Sequence, residues 1–101
     1  MSALLIFTYD VHDPAALASY RERALPILTG DAGGVLLAST SKTEHLSEAS
    51  SRGTDTVIVR FDNANAAHKC YESLEYQSVI GERLAATAPW IAMIVPEVKI
   101  I

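Results

Sequence analysis

The side chains best suited to hold a small molecule are two tyrosines, an arginine and a tryptophan. Tyr20, Tyr76, Arg83 and Trp90 bring phenol, guanidinium and indole groups, which donate hydrogen bonds. Tyr20 falls on the apolar stripe of a predicted helix. Arg83 follows Tyr76 by seven residues, or two helical turns, so the two lie on the same side of a later helix. These four residues are predicted to bind a ligand.

The same side chains also have a purely structural interpretation. The tyrosines can be core aromatics with hydroxyls at the edge of the core. Arg83 can pair with a nearby acidic residue: Glu72, Glu75 or Glu82. Tyrosine is intermediate in burial and arginine is usually exposed, so both interpretations stay open at the level of sequence.

His45 is the candidate catalytic residue. It lies between Glu44 and Glu48 in a polar stretch, and a neutral histidine near a carboxylate can act as a general base. The alternative is an exposed, flexible loop. His12 and His68 are interpreted as surface residues. Because the histidines lack metal-binding spacing, we expect no metal and no cofactor.

Composition limits the class of protein. The chain has 101 residues, 50% of them hydrophobic and 20% charged, which fits one folded domain over residues 1–101. The net charge is -4 and the cations are scattered, so we expect no nucleic-acid partner. The single Cys70 suits a reducing cytoplasm. No apolar stretch reaches the length of a membrane span, so we expect a cytoplasmic protein without membrane contact.

Periodicity and capping residues predict the elements that must position these side chains. Strands are predicted over 3–9, 35–39, 56–61 and 90–95, and helices over 14–29, 64–72 and 74–86, with a long loop over 40–52. Asp13 and Ser73 are predicted helix caps, and Gly33-Gly34 a turn into the second strand. The order β-α-β-β-α-β predicts a ferredoxin-like α+β fold, with antiparallel strands in the order 4-1-3-2 and the helices on one face.

With this order, the chain resembles a known bacterial family. The motifs that carry the resemblance are Tyr20, Gly33-Gly34, Val57-Ile58-Val59-Arg60-Phe61, Ala66-Ala67, Leu74-Glu75-Tyr76-Gln77 and Arg83. Their order and spacing are similar to the family named domain of unknown function number 1330, over about residues 4 to 96. The chain departs from that pattern at Leu74, where proline is usual, and at Glu44-His45-Leu46-Ser47-Glu48 in the long loop.

The resemblance implies a dimeric α+β barrel, in which two ferredoxin-like sheets pack face to face. It also implies that a ligand sits between sheet and helices, where Tyr20, Tyr76 and Arg83 could bind a small carboxylate or oxyanion. Members of this superfamily include cofactor-free monooxygenases. Three hypotheses follow: a protein that binds a small organic ligand, a cofactor-free monooxygenase or isomerase acting on a small aromatic or carboxylate, and a non-catalytic dimer module.

The strands are apolar on both faces, which predicts a homodimer. A monomer would leave one apolar face in water. Val57, Val59 and Phe61 are expected to face the helices, so Arg60 and Ile58 would point into the space between subunits. Because an unpaired buried guanidinium is costly, Arg60 is expected to have an acidic partner from either subunit.

Overall fold

The computed structural model describes residues 1–49 and 52–98. The elements in chain order are β1 (Ala3–Val11), α1 (Pro14–Thr29), β2 (Val35–Thr40), β3 (Asp55–Phe61), α2 (Ala64–Glu72), α3 (Leu74–Ala86) and β4 (Thr87–Pro96). This confirms the predicted order, including the two short helices before the last strand. Strand β4 begins earlier than predicted and contains Pro89. Proline fits there because β4 is an edge strand that pairs with β1 alone.

The four strands form an antiparallel sheet in the order β2-β3-β1-β4, as predicted. Alternation along the central strands sorts their side chains between two faces. Leu5 and Phe7 pair with Val59 and Val57 in the register, and with Phe61 they pack into the core under the helices. Val57, Val59 and Phe61 therefore face the helices, as the sequence predicted. We call this the covered face, and its opposite the open face.

Capping residues fix where each helix begins. Asp13 Oδ1 accepts a hydrogen bond from the Ala16 N–H over 3.1 Å, and Pro14 occupies the first helical position of α1. Ser73 Oγ accepts a hydrogen bond from the Tyr76 N–H over 3.1 Å and separates α2 from α3. This cap sets the residue at which α3 starts, and therefore which of its side chains face the sheet.

The turn into β2 depends on both glycines of the Gly33-Gly34 pair. Gly33 has a φ of 76°, a left-handed conformation that favours glycine. Gly34 packs against the core, where an added Cβ would lie 2.2 Å from the Leu28 carbonyl oxygen and 2.8 Å from Val59 Cγ1. The strand can approach the end of α1 this closely only without a side chain at position 34.

The long loop has neither helix nor strand over residues 41–49 and 52–54. The Thr43 N–H donates to the Thr54 carbonyl over 3.1 Å, and the Thr43 and Thr56 hydroxyls lie 2.6 Å apart. These bonds tie the start of the loop to the start of β3. None of the helices that the structure describes is long and apolar enough to cross a membrane.

Candidate functional site

A cavity of about 80 Å³ lies between α1 and the covered face of the sheet. Its lining comes from five elements: Phe7, Tyr9, Tyr20, Arg21, Ala24, Leu25, Leu28, Leu36, Ser39, Val57 and Arg83. Most of the wall is aliphatic or aromatic, while arginine and tyrosine supply the donors. The space suits a small organic molecule with one polar end.

Arg83 is the unusual member of the lining. The buried stripe of α3 runs through Tyr76, Val79, Arg83 and Ala86, so the helical period turns Arg83 toward the sheet, where an apolar residue would be usual. Only 2% of its surface is exposed. The guanidinium carbon lies 4.3 Å from the ring centroid of Phe7, within reach of a cation–π interaction.

The Arg83 guanidinium has no acidic partner within residues 1–49 and 52–98, and its Nε and Nη1 atoms are buried there without a hydrogen bond. The ion pair with a helical neighbour, which the sequence left open, does not form in this structure. Glu82 instead pairs with Arg23. A buried, unpaired guanidinium costs several kcal/mol by the usual order of magnitude, so its position calls for an explanation beyond packing.

Tyr20 and Tyr76, two of the residues predicted to bind a ligand, meet beside Arg83. Their hydroxyl oxygens lie 2.6 Å apart, and their rings pack edge to face with centroids 6.4 Å apart. Burial raises the pKa of Tyr20, and the neighbouring Tyr76 hydroxyl raises it further. Burial also raises the pKa of Tyr76, against the opposing effect of Arg83. Both phenols are therefore protonated at neutral pH.

The two phenol protons have one shared hydrogen bond between them. Tyr76 is fully buried and does not line the cavity, whereas Tyr20 does. If the Tyr76 hydroxyl donates to the Tyr20 oxygen, its proton has a hydrogen-bond acceptor. The Tyr20 proton is then free to donate to a molecule in the cavity, so both protons have a partner when the cavity is occupied. The pair can thus present one hydroxyl donor next to the buried guanidinium.

The lining includes a second arginine, Arg21, which was not among the residues predicted from the sequence. Arg21 Nη2 lies 3.2 Å from the Tyr9 hydroxyl and 3.2 Å from Asp55 Oδ2. Asp55 is buried at the start of β3, and its Oδ1 accepts a hydrogen bond from the Thr54 hydroxyl over 2.9 Å. The one signal of this ion pair in the sequence is the position of Asp55, directly before an apolar strand. A carboxylate that is buried at such a position requires a cation nearby.

Trp90 does not join the predicted site, so this prediction needs correction. The pairing of β1 with β4 shifts register between Thr8 and Tyr9, and Trp90 lies on the open face, 48% exposed. Its Nε1–H donates to Asp10 Oδ2 over 2.7 Å, and the Arg52 guanidinium lies 5.8 Å from its ring centroid. The sheet separates it from Arg83.

His45 also lies outside the cavity. It is exposed in the long loop, and its Nε2 is 2.7 Å from the Gly53 carbonyl oxygen, to which it donates. This bond attaches the loop to the turn before β3. The histidine is therefore not placed to accept a proton from a molecule bound beside Arg83.

A larger surface depression, of about 510 Å³, lies between the end of α1 and the junction of α2 with α3. Asp31, Lys69, Cys70, Ser73 and Glu75 contribute its polar groups. No buried polar atom without a partner, within the described residues, belongs to its lining. The smaller cavity at Arg83 therefore remains the candidate site.

Comparison with known proteins agrees with the fold and leaves the activity open. The family model described as Domain of unknown function (DUF1330) matches residues 2–98. No curated protein matches the chain. The fold is similar to that of a protein of unknown function from Rhodopseudomonas palustris, with a TM-score of 0.75, 13% identity and coverage of 97% of this chain and 83% of that one.

The chain is also similar to SnoaB, a cofactor-independent oxygenase from Streptomyces nogalater. The TM-score is 0.66 and the identity 11%, over 99% of this chain and 96% of that one. These likenesses place the chain in the fold of the dimeric α+β barrel proteins, as the sequence resemblance implied.

Proposed function

Since the chain belongs to the DUF1330 family, whose function is unknown, we propose from its own geometry that it binds a small organic anion between α1 and the sheet. The ligand is a carboxylate, or an enol in its ionised form. The observation that carries this proposal is Arg83, a buried guanidinium with no acidic partner in the described structure.

An anion in the cavity would supply what Arg83 lacks. A carboxylate accepts charge-assisted hydrogen bonds from a guanidinium, and these are about twice as strong as neutral ones. Tyr20, beside Arg83, can donate a further hydrogen bond. The cost of keeping a cation buried in the empty protein would then be recovered on binding.

The rest of the lining fits the remainder of an organic molecule. Phe7, Leu25, Leu28, Leu36 and Val57 surround the space with apolar surface. An inorganic anion would gain nothing from these walls, whereas each buried methylene of an organic ligand contributes about 0.8 kcal/mol. An apolar body with one anionic group matches both parts of the cavity.

Binding is better supported than catalysis. A reaction of the type named for SnoaB would require a group that removes a proton from the substrate before oxygen reacts. The cavity lining, within the described residues, holds no histidine, aspartate or glutamate, and burial raises the pKa of Tyr20. The donors present stabilise an anion that arrives already formed.

Arg83→Met tests the proposal, with Arg23→Met as the matched control. Arg23 is exposed and pairs with Glu82 outside the cavity. Titration of hexanoate into labelled protein, followed by amide chemical shifts in NMR, measures binding. We expect Arg83→Met to weaken hexanoate binding about tenfold or more, and Arg23→Met to leave it unchanged. Equal binding by the parent and a folded Arg83→Met protein would refute the proposal.

We also infer that two copies of the chain pair through the open face. Leu4, Ile6 and Ile58 are only half-buried there, and Met93 and Val95 remain more exposed. Such an apolar sheet face is more than a small monomer usually leaves in water. The fold shared with dimeric α+β barrel proteins supports a second copy of this chain as the partner.

Arg60 fits this arrangement with one refinement. It lies on the open face, as expected, and its acidic partner belongs to the same chain. Arg60 Nε lies 2.7 Å from Glu97 Oε1 and Nη2 lies 3.2 Å from Oε2, while Ser2 Oγ donates to Oε1 over 2.8 Å. The charge is thus balanced before any partner arrives.

A charge placed on the open face tests the dimer. Met93→Lys would desolvate an ammonium group within the interface, whereas Leu74→Lys adds the same charge at an exposed position on α3. Sedimentation at micromolar concentration should give a dimer for the parent and Leu74→Lys, and a monomer for Met93→Lys. A monomeric parent protein would overturn the inference.

A further inference from the structure

We propose that the cavity selects monoanions, and that its ligand is a monocarboxylate with an apolar chain rather than a dicarboxylate or a neutral amide. This inference rests on the proposed function and adds the ligand's charge. It follows from a difference between the two guanidinium groups that line the cavity: Arg21 pairs with an acidic residue, and Arg83 has no acidic partner in the described structure.

The charge of Arg21 is already compensated. Asp55 is buried, and its Oδ2 lies 3.2 Å from Arg21 Nη2. The Tyr9 hydroxyl accepts a second hydrogen bond from the same nitrogen. The Nε of Arg21 is buried without a partner in the described structure and can donate one more bond, yet the pair as a whole remains neutral.

Among the residues that the structure describes, Arg83 therefore supplies the single uncompensated charge of the lining. Tyr9 and Tyr20 are phenols, Ser39 is neutral, and the other members are apolar. Counting Arg83 as +1 and the pair of Arg21 with Asp55 as zero gives a net charge of +1. One carboxylate neutralises the cavity, and a second would have no free cation to meet it.

Position along the cavity leads to the same conclusion. Arg83 and Tyr20 are buried, whereas Leu25 and Leu36 are exposed. A ligand that places its carboxylate at Arg83 must lay its chain toward these leucines. A second carboxylate at the far end of the chain would gain no charge-assisted bond beside these leucines, whereas a methyl group there gains apolar contact.

Three ligands with the same six-carbon chain test this inference: hexanoate, adipate and hexanamide. Binding to the parent protein is measured by NMR titration at matched ionic strength and neutral pH. We expect hexanoate to bind about tenfold or more tightly than either of the others, because each alternative leaves a charge or a polar group unmatched. The shifted amides should lie around the cavity.

The outcomes separate the two proposals. Tighter binding of adipate than of hexanoate would overturn the monoanion inference and leave anion binding intact. Equal binding of hexanamide and hexanoate, or no binding of any of the three, would overturn the proposed function and the inference with it.

Asp55→Asn provides an independent test, because it removes the compensating charge and keeps an oxygen that can accept from Arg21. The net charge of the cavity then rises to +2, and we expect the preference for hexanoate over adipate to fall about tenfold. Asp10→Asn is the matched control, since Asp10 bonds to Trp90 on the open face. An unchanged preference in a folded Asp55→Asn protein would contradict the charge count.

Discussion

Two arginines on opposite faces of one sheet have opposite surroundings. Arg60, on the open face, is about half exposed and is held by both oxygens of Glu97. Arg83, on the covered face, is 2% exposed and meets the ring of Phe7 without any acidic group in the described structure. Within the described residues, a carboxylate accompanies the arginine that water already solvates, and none accompanies the arginine whose desolvation is most costly. The proposed ligand would bring the counter-charge that Arg83 lacks.

The largest difference between the two faces should be in the free energy of unfolding that is lost when a packed side chain is truncated. Phe7→Ala removes a buried ring from the covered face, and we expect it to lower the free energy of unfolding by about 3–5 kcal/mol. Met93→Ala, on the open face, should cost less than about 1 kcal/mol when it is measured at a protein concentration below that at which the chains pair. Urea unfolding measures both. A similar cost for the two substitutions would show that the open face is packed within the single chain.

Arg83→Met should change stability in the opposite direction from most core substitutions. It replaces an unpaired charge with an apolar side chain of similar length, and we expect the free energy of unfolding to rise by about 1–3 kcal/mol while anion binding is lost. Urea unfolding without ligand gives the value. A loss of stability instead would mean that the contact with Phe7 makes Arg83 a structural element of the core.

Tyr20→Phe probes the hydroxyl pair beside Arg83. The Tyr76 hydroxyl loses its partner, so the variant should be less stable by about 1–2 kcal/mol and should bind hexanoate more weakly. Because the pKa of Tyr20 is raised above the ordinary value of 10.0, the folded parent retains protons that the unfolded chain releases. Stability of the parent must therefore fall as the pH rises above that value, and less steeply in Tyr20→Phe. Parallel pH profiles of the melting temperature would argue against a buried, protonated Tyr20.

Glu97→Gln, on the open face, should change stability the least of these substitutions. The hydrogen bond from Arg60, followed by that from Ser2, lowers the pKa of Glu97 below its ordinary value of 4.5. The resulting stabilisation is present above that ordinary value and disappears as the pH falls through the lower pKa of the folded protein. Melting temperatures at neutral and at strongly acidic pH should thus differ slightly more for the parent than for Glu97→Gln. Added salt should reduce the difference, because the pair is exposed to solvent.

Local signals in the sequence were enough for the order of elements and for part of the site. Asp13 and Ser73 mark helix starts by hydrogen bonds within a few residues, and the helical period turns Tyr76 and Arg83 to one side. These features depend on near neighbours in the chain. The meeting of Tyr20 with Tyr76 was expected once the fold was recognised.

What the sequence could not predict depends on register and on distant pairing. Trp90 lies on the open face because the pairing of β1 with β4 shifts at Thr8, and no local pattern marks such a shift. Arg21 and Asp55 are separated by a helix end, a strand and the long loop, so their ion pair is visible only in three dimensions.

The cap at Ser73 has a consequence for how the site could change during evolution. Tyr76 and Arg83 share one helix, so a single rotation about the axis of α3 moves both. One residue inserted directly after Ser73 would turn them by about 100° and bring neighbouring side chains to the sheet in their place. The Tyr76 hydroxyl and the Arg83 guanidinium are therefore gained or lost together, whereas the position of Tyr20, on α1, can change independently of them. Insertions at this junction would separate relatives that retain the anion site from those that keep only the fold.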